Sequence, residues 1–470
     1  MASASGTGWC GIGPIEMARM NDGGCLHVVG GHLCVEGCDT VALAERFGTP
    51  LYVMSEAQLR ANCRALRAAF ERYWHGPVDL LPSLKANYVL AVRAVLNSEG
   101  AGCDVFGGNE LATALRAGVP AGQISVNGSA KSPDLLRAAV MAGATITLDS
   151  AQELDSVSAI TAELNTVARV RLRIRPDHAS LTERSDFFPD MAIRDAAQLY
   201  KPGIEPEAAR EIGLRALRDQ RVQMTGLMTH LGRHSAAPAV WAKMAAGFGE
   251  TVAGLCKAWA PWRPMELDIG GGFPAPRDPT HPERREAEPI DRYADAIATS
   301  LRTSVAAGGV VPDGIALQIE PGRSLFADVG VHLSRVAHVK TQSRPVVSTW
   351  VEVDTTEMFM PDLLMEHAYF RPVFASRADA AVVGSVHIVG ISCNFDLIAR
   401  DVPAPAVSAG DVIAFLDTGA YQDAAASNFN VLARPGTLLV SGNRARLVKR
   451  HETVGEVLAR DEPSAADVSF

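Results

Sequence analysis

A chain of 470 residues, 47% apolar and 21% charged, has the make-up of a globular protein with room for more than one domain, which excludes a disordered or fibrous chain. A formal net charge of −9 repels phosphate backbones and speaks against a nucleic-acid partner. The start MASASGTGWCGIGP has no basic or apolar signal region, no run reaches the ~20 apolar residues of a membrane span, and the eight cysteines show no metal or disulfide spacing, so a reduced, cytoplasmic setting is expected.

In chain order, LHVVGGHLCVEG within residues 1–50 predicts strands, and residues 1–20 read as loose. From 51 to 324 short apolar runs alternate with Ala- and Leu-rich amphipathic stretches. The runs are VDLLPSLKA, GCDVFG, QISVNG, ATITLDS, ARVRLRIRP, QMTGLMTHLG, MELDIGGG and GIALQIEPG. The stretches between them include NELATALRAG, SPDLLRAAVMAG and SAQELDSVSAITAEL. Eight strands alternating with helices predict an α/β fold, a (β/α)8 barrel. Residues 325–470 hold strand-like runs with few helical stretches, VGVHLSRVAHVKT, VVSTWVEVD, SVHIVGISC, DVIAFL, TLLVSG and ARLVKR. They predict a β-rich C-terminal domain that also takes the N-terminal strands, and 458–470 read as loose.

Barrels of this kind carry their active sites at the C-terminal strand ends. The eight exits here carry Lys85, Asp104, Asn127, Asp149, Arg173, His230, Gly270-Gly271-Gly272 and Glu320-Pro321-Gly322-Arg323. A lysine alone at a strand end is ordinarily a solvated exit. The triple glycine alone is as well explained by a tight turn. Together they converge. Gly-rich LDIGGGFP and EPGR, on neighbouring strands seven and eight, match the phosphate corner of such barrels. A phosphate site beside a strand-end lysine suggests pyridoxal 5′-phosphate (PLP), held by the lysine as a Schiff base. Glu320 is then a candidate partner for the ring nitrogen and His230 for the ring face. A rim salt bridge and a satisfied core histidine are the competing explanations.

With these motifs in order, the chain resembles the fold-type III PLP-dependent decarboxylases, which include diaminopimelate and ornithine decarboxylases. GTPLYVMSEAQLRANC, SLKAN, CDVFGGNEL, VNGSAKS, TLDSAQEL, HLGRH, LDIGGGFP, IEPGR and DTGAYQDAAASNFN carry the resemblance, from about residue 26 to 450. It implies an alanine racemase-like barrel plus a β-domain, and a homodimer with shared active sites. It implies that Lys85 carries PLP and that His230 stacks on the ring. Glu320 pairs with the ring nitrogen, and Gly270, Gly271, Gly272, Gly322, Arg323 and Tyr421 hold the phosphate. Asp104 and Arg173 support the pocket, and Cys393 completes the partner's site.

The substrate side departs from the family. Where diaminopimelate decarboxylases carry an arginine and a tyrosine for the distal amino acid group, this chain reads MPDLL, with Met360 and Leu364. Asn394 stands where an acid usually follows the cysteine. HLGR puts Arg233 in place of a small hydroxyl, free to meet the phosphate, a substrate anion or solvent. Glu366, in LLMEHAY, falls where ornithine decarboxylase has an acid for a substrate amine. The expectation is decarboxylation of an amino acid other than meso-diaminopimelate. Racemisation or other α-carbon chemistry on the same fold is the alternative, and a non-catalytic binding protein ranks behind both. The twelve histidines show no metal-ligand spacing.

Overall fold

The computed structural model describes residues 24–175, 179–199, 203–232, 234–280 and 288–462. They fall into two compact units. One holds the N-terminal residues up to Gln58, Pro279 and Thr280, and those from Asp328 onward; the other holds Leu59–Asp278 and the described residues from 288 to Ala327.

In the first unit, β1 (Leu26–Val29), β2 (His32–Val35) and β3 (Cys38–Asp39) form a small antiparallel sheet of their own. As the sequence suggested, they belong to the β-rich unit: although they form a separate sheet, Leu33 and Val35 share a hydrophobic core with Leu51, Leu333 and Leu438. The next strand, β4 (Leu51–Ser55), was expected to open the barrel domain. Instead it pairs with strands near residues 330 and 440.

The second unit contains eight parallel strands: β5 (Val78–Leu80), β6 (Cys103–Val105), β7 (Ile124–Val126), β8 (Thr145–Leu148), β9 (Ala168–Arg173), β10 (Val222–Met228), β11 (Glu266–Asp268) and β12 (Ala316–Ile319). Their order is β5-β12-β11-β10-β9-β8-β7-β6. The ends meet: Gly102 N–H donates to Leu80 O at 2.8 Å, Asp104 N–H to Pro82 O at 3.3 Å, and Ser83 bridges Asp104. The sheet is therefore a closed barrel. Its helices start and stop on local signals. Over Pro133–Ala142, Ser132 caps the Leu135 N–H, proline opens the first turn, and Gly143 at φ +77° ends the helix.

What fills this barrel is unusual. Barrel interiors are commonly packed with branched apolar side chains. Here β9 reads Ala-Arg-Val-Arg-Leu-Arg, and the fully buried Arg171 reaches side chains on β7, β8, β11 and β12. Only an inward-pointing residue can do that. Val170, Leu172, Leu267 and Leu317, on the alternate positions, are fully buried too, on the helix-facing side.

From Asp328 the first unit resumes with β13 (Gly330–Gln342), β14 (Ser348–Val353), β15 (Pro372–Phe374), β16 (Gly384–Val389), β17 (Leu397–Ala404), β18 (Val412–Phe415), β19 (Gly436–Ser441) and β20 (Arg444–Lys449). Its sheet runs β17-β16-β14-β13-β4-β19-β20, with β18 paired to β13 and β15 paired to β18. Among the described residues no helix is long and apolar enough to cross a membrane.

Candidate active site

The barrel strands bring their candidate residues to the C-terminal end, with Asp104 still inside β6. Asn127, Asp149 and Glu320 directly follow β7, β8 and β12, Arg173 ends β9, and His230 lies two residues past β10. Lys85 sits in a short 3-10 turn, Leu84–Ala86, beyond β5. That turn is anchored on both sides. Ser83 N–H donates to Pro321 O at 3.1 Å, and Ser83 Oγ donates to Asp104 Oδ2 at 2.6 Å. Lys85 is exposed, with Nζ 4.8 Å from the centre of the Phe106 ring.

Below the rim lies a buried polar cluster. Asn127 Nδ2 donates to Asp104 Oδ1 at 2.7 Å and to Glu320 Oε1. Arg171 donates to Thr147 Oγ1 at 2.7 Å, to Asn127 Oδ1 at 3.2 Å, and to Ser125 and Gln318. It lies 2.7 Å from Asp268 and 3.7 Å from Glu320. Asp104, Asp268 and Glu320 are three buried carboxylates against the guanidiniums of Arg171 and Arg173. Burial, with the charges of Asp104 and Asp268, pushes the Glu320 carboxyl well above its usual range, against Arg171. Burial likewise raises Asp268, and Arg171 opposes it.

His230 is held in one tautomer. The Gly271 N–H donates to its Nδ1 at 3.3 Å, so Nε2 carries the proton. Burial, then the charges of Arg173, Lys85 and His234, hold its pKa well below the ordinary histidine value, so the ring is neutral. The glycines are required by space. A Cβ on Gly270 would lie 2.2 Å from His230 Nδ1, and one on Gly271 2.0 Å from the Glu320 carbonyl oxygen; Gly270 and Gly272 also sit at φ +70° and +100°. Gly322 is buried ahead of Arg323–Phe326, and Arg323 lies 3.9 Å from Asp278.

The other sequence candidates lie on the β-rich unit. Tyr421, at φ +69°, precedes the turn Gln422–Ala425. Cys393 is exposed, and its N–H donates to Asn430 Oδ1 at 2.9 Å. Asn394 donates its amide to Glu357, a buried carboxylate that sequence reasoning missed. Asp396 fixes this loop, accepting from Glu357 N–H and Ser392 N–H, each at 2.7 Å. Leu364 is exposed and Glu366 partly so. Met360 is a correction. It has no exposed surface and packs with Val336, Val351 and Phe370, so it belongs to a core and not to a surface that meets substrate. Arg233 lies outside the described residues.

Residues 56–327 match the family described as pyridoxal-dependent decarboxylase, pyridoxal binding domain. The chain belongs to the pyridoxal-dependent decarboxylases. Along nearly its whole length it is similar to proteins named diaminopimelate decarboxylase. One, from Actinosynnema pretiosum subsp. auranticum, is 31% identical over 435 residues, covering 92% of this chain and 93% of that one. Another, from Synechocystis, is 28% identical over 444 residues, covering 92% and 90%. The crystal structure of diaminopimelate decarboxylase from M. jannaschii superposes with a TM-score of 0.85 at 28% identity, covering 94% of this chain and 98% of that one.

A decarboxylase of this family uses PLP, and the rim suits it. The buried carboxylates outnumber the guanidiniums, which leaves a place for a protonated ring nitrogen at Glu320. The Ser324 hydroxyl, buried beside Arg323, has no hydrogen-bond partner among the described residues, as a phosphate ligand requires. Of the decarboxylase's cluster, Arg171, Asp268 and Ser125 escaped the sequence reading. Their only signal was polar spacing inside strands.

Proposed function

We propose that this decarboxylase removes the α-carboxylate of an amino acid whose side chain ends in an amine, with PLP carried on Lys85. The observation that carries the reading is the Glu320 cluster beneath the rim: a carboxyl held by Asn127 whose pKa is raised by burial and then by Asp104 and Asp268, a setting that calls for a cation. When bound, PLP supplies an electron sink for the pair left behind as carbon dioxide departs. The chain's own residues prepare the rest. Glu320 accepts a hydrogen bond at the ring nitrogen, and the neutral His230 offers an uncharged ring face. Gly270 to Gly272, Gly322, Arg323 and Ser324 receive the phosphate. Lys85 holds the reactive amine beside Phe106.

The substrate assignment rests on the β-rich unit. Asn394 turns its NH2 toward Glu357, since a carboxylate can only accept, and so keeps its own oxygen as an acceptor. Acceptors suit a distal ammonium. The relatives named diaminopimelate decarboxylase count against the expectation that meso-diaminopimelate is excluded, and so does the loss of Met360 from the substrate set. The exposed apolar surface around Cys393, with Phe395 97% and Val431 55% exposed, supports a homodimer. The roles of Cys393 and Tyr421 rest on the resemblance alone.

The test is a panel of meso-diaminopimelate, lysine, ornithine, arginine and leucine, followed by carbon dioxide release and product mass. Turnover of an amine-bearing member is expected, and Glu357→Gln should raise its KM about tenfold, the value of one charge-assisted hydrogen bond. Failure of every member with PLP bound refutes the decarboxylase reading for these substrates. Inversion of the α-carbon without carbon dioxide replaces it with racemisation.

A further inference from the structure

The fully buried Arg171 has a task the rim residues do not explain. A guanidinium inside a barrel is tolerated only where its donors are taken up. Here they meet Ser125, Asn127, Thr147, Gln318 and Asp268, spread over four other strands. We infer that Arg171 and Asn127 act together as positioning residues for Glu320, fixing its carboxylate as an acceptor aimed at the cofactor ring.

The argument is one of hydrogen-bond direction. A guanidinium only donates and a carboxylate only accepts. Arg171 Nη2 donates to Asn127 Oδ1 at 3.2 Å, and Ser125 Oγ donates to the same oxygen at 2.9 Å while itself accepting from Arg171. With its oxygen doubly held, the Asn127 amide has one orientation. Its NH2 must face Asp104, at 2.7 Å, and Glu320. A flipped amide would set oxygen against two carboxylates. Glu320 Oε1 is thereby pinned, and the same carboxylate is kept an acceptor. On its backbone side Glu320 N–H donates to Gly270 O at 2.9 Å. The orienting chain thus runs from Arg171 through Asn127 to Glu320, all within one closed barrel. Neither Arg171 nor Asn127 is needed to touch substrate.

This inference rests on the assignment of Glu320 to the ring nitrogen, and the experiment separates the two. Three variants of the full chain are compared: Glu320→Gln, Asn127→Leu, and the double variant Arg171→Met with Asp268→Asn. The double variant removes both partners of the Arg171–Asp268 ion pair and leaves the net buried charge of the barrel unchanged, so it guards against a single variant that fails to fold. The readouts are PLP affinity by absorbance titration, the acidic limb of the kcat profile, and KM for a substrate found in the panel. Loss of the Asn127 donor disfavours the charged form of Glu320. Asn127→Leu should therefore weaken PLP about tenfold, the worth of one charge-assisted hydrogen bond, and move the acidic limb to higher pH, with KM within twofold. The double variant should weaken PLP in the same direction, because Asn127 loses its orienting donor. A purely structural role would lower the melting temperature and leave affinity and limb in place. That result, in either variant that folds, overturns the inference. If Glu320→Gln itself binds PLP and turns over like the parent, the ring-partner assignment falls and the inference falls with it.

Discussion

Replacing Gly271 by alanine should disable the site without unfolding the protein. The added carbon would lie 2.0 Å from the Glu320 carbonyl oxygen, where ordinary contact begins at 3.4 Å, so a gap of 3.4 − 2.0 = 1.4 Å must open. The obstacle is backbone and cannot swing aside. Opening the gap parts the two exits that Glu320 N–H and Gly270 O tie together at 2.9 Å. Overpacking of this kind costs about 1–3 kcal/mol. A reacting group displaced by ~1 Å loses about 100-fold in rate. Gly254→Ala is the control. It lies exposed within the helix Pro238–Ala258, with nothing within 4 Å of the added carbon, and should gain about 0.5–1 kcal/mol. PLP titration, kcat and thermal melting are measured on both. Should Gly271→Ala bind PLP and turn over within threefold of the parent, the close approach of the two loops is not what the site depends on.

Three other outcomes follow from the same structure. Borohydride reduction and peptide mass spectrometry should find the pyridoxyl group on Lys85, and label on another lysine would remove it from its role. Mixed dimers of Lys85→Ala and Cys393→Ala should regain part of the activity each lacks alone; no recovery in verified heterodimers argues against a shared site. His332 is fully buried and its pKa is lowered by burial to about 3. The unfolded chain takes up a proton below pH 6.5 that the folded one refuses, so stability is lost as pH falls from 6.5 toward 3. The loss is about 2 kcal/mol at pH 5, and His332→Phe should show a correspondingly flatter melting profile between pH 7 and 5.

The rim was legible because each exit pairs a β-rich run with a chemically distinctive residue: Lys85 after PSL, Glu320 before Pro-Gly-Arg. Strand β9 shows where that legibility stops. RVRLR alternates plainly, but alternation gives two faces and not which one looks into the barrel. The habit of placing arginines outward hides Arg171. Strand β4, LYVMS, is buried along its length, and a run apolar on both faces suits a barrel or a layered sheet equally. Met360 shows the opposite failure. A motif comparison placed it beside substrate, whereas its burial depends on Val336 and Phe370, which no local pattern connects to it. Glu357 was missed because its partner Asn394 lies 37 residues away.

The polar barrel has a consequence for the cofactor-free protein. Its interior gains little from apolar burial; Arg171 holds Asp268 tightly, while Glu320 lies 3.7 Å from the same guanidinium and close to two other carboxylates. Without a cation at Glu320, ionising that carboxyl is costly, which is why its pKa stands well above the usual range. With PLP in excess at 100 times its dissociation constant, binding adds about 2.7 kcal/mol. Glu320→Gln, which removes the charge and keeps the acceptor, should therefore melt no lower than the parent when both are stripped of PLP, and should gain less when PLP is restored. Scanning calorimetry of the four forms reads both effects. If the stripped Glu320→Gln protein melts lower than the stripped parent, Glu320 is already balanced within the barrel, and the surplus of buried carboxylate is not what calls for the protonated ring.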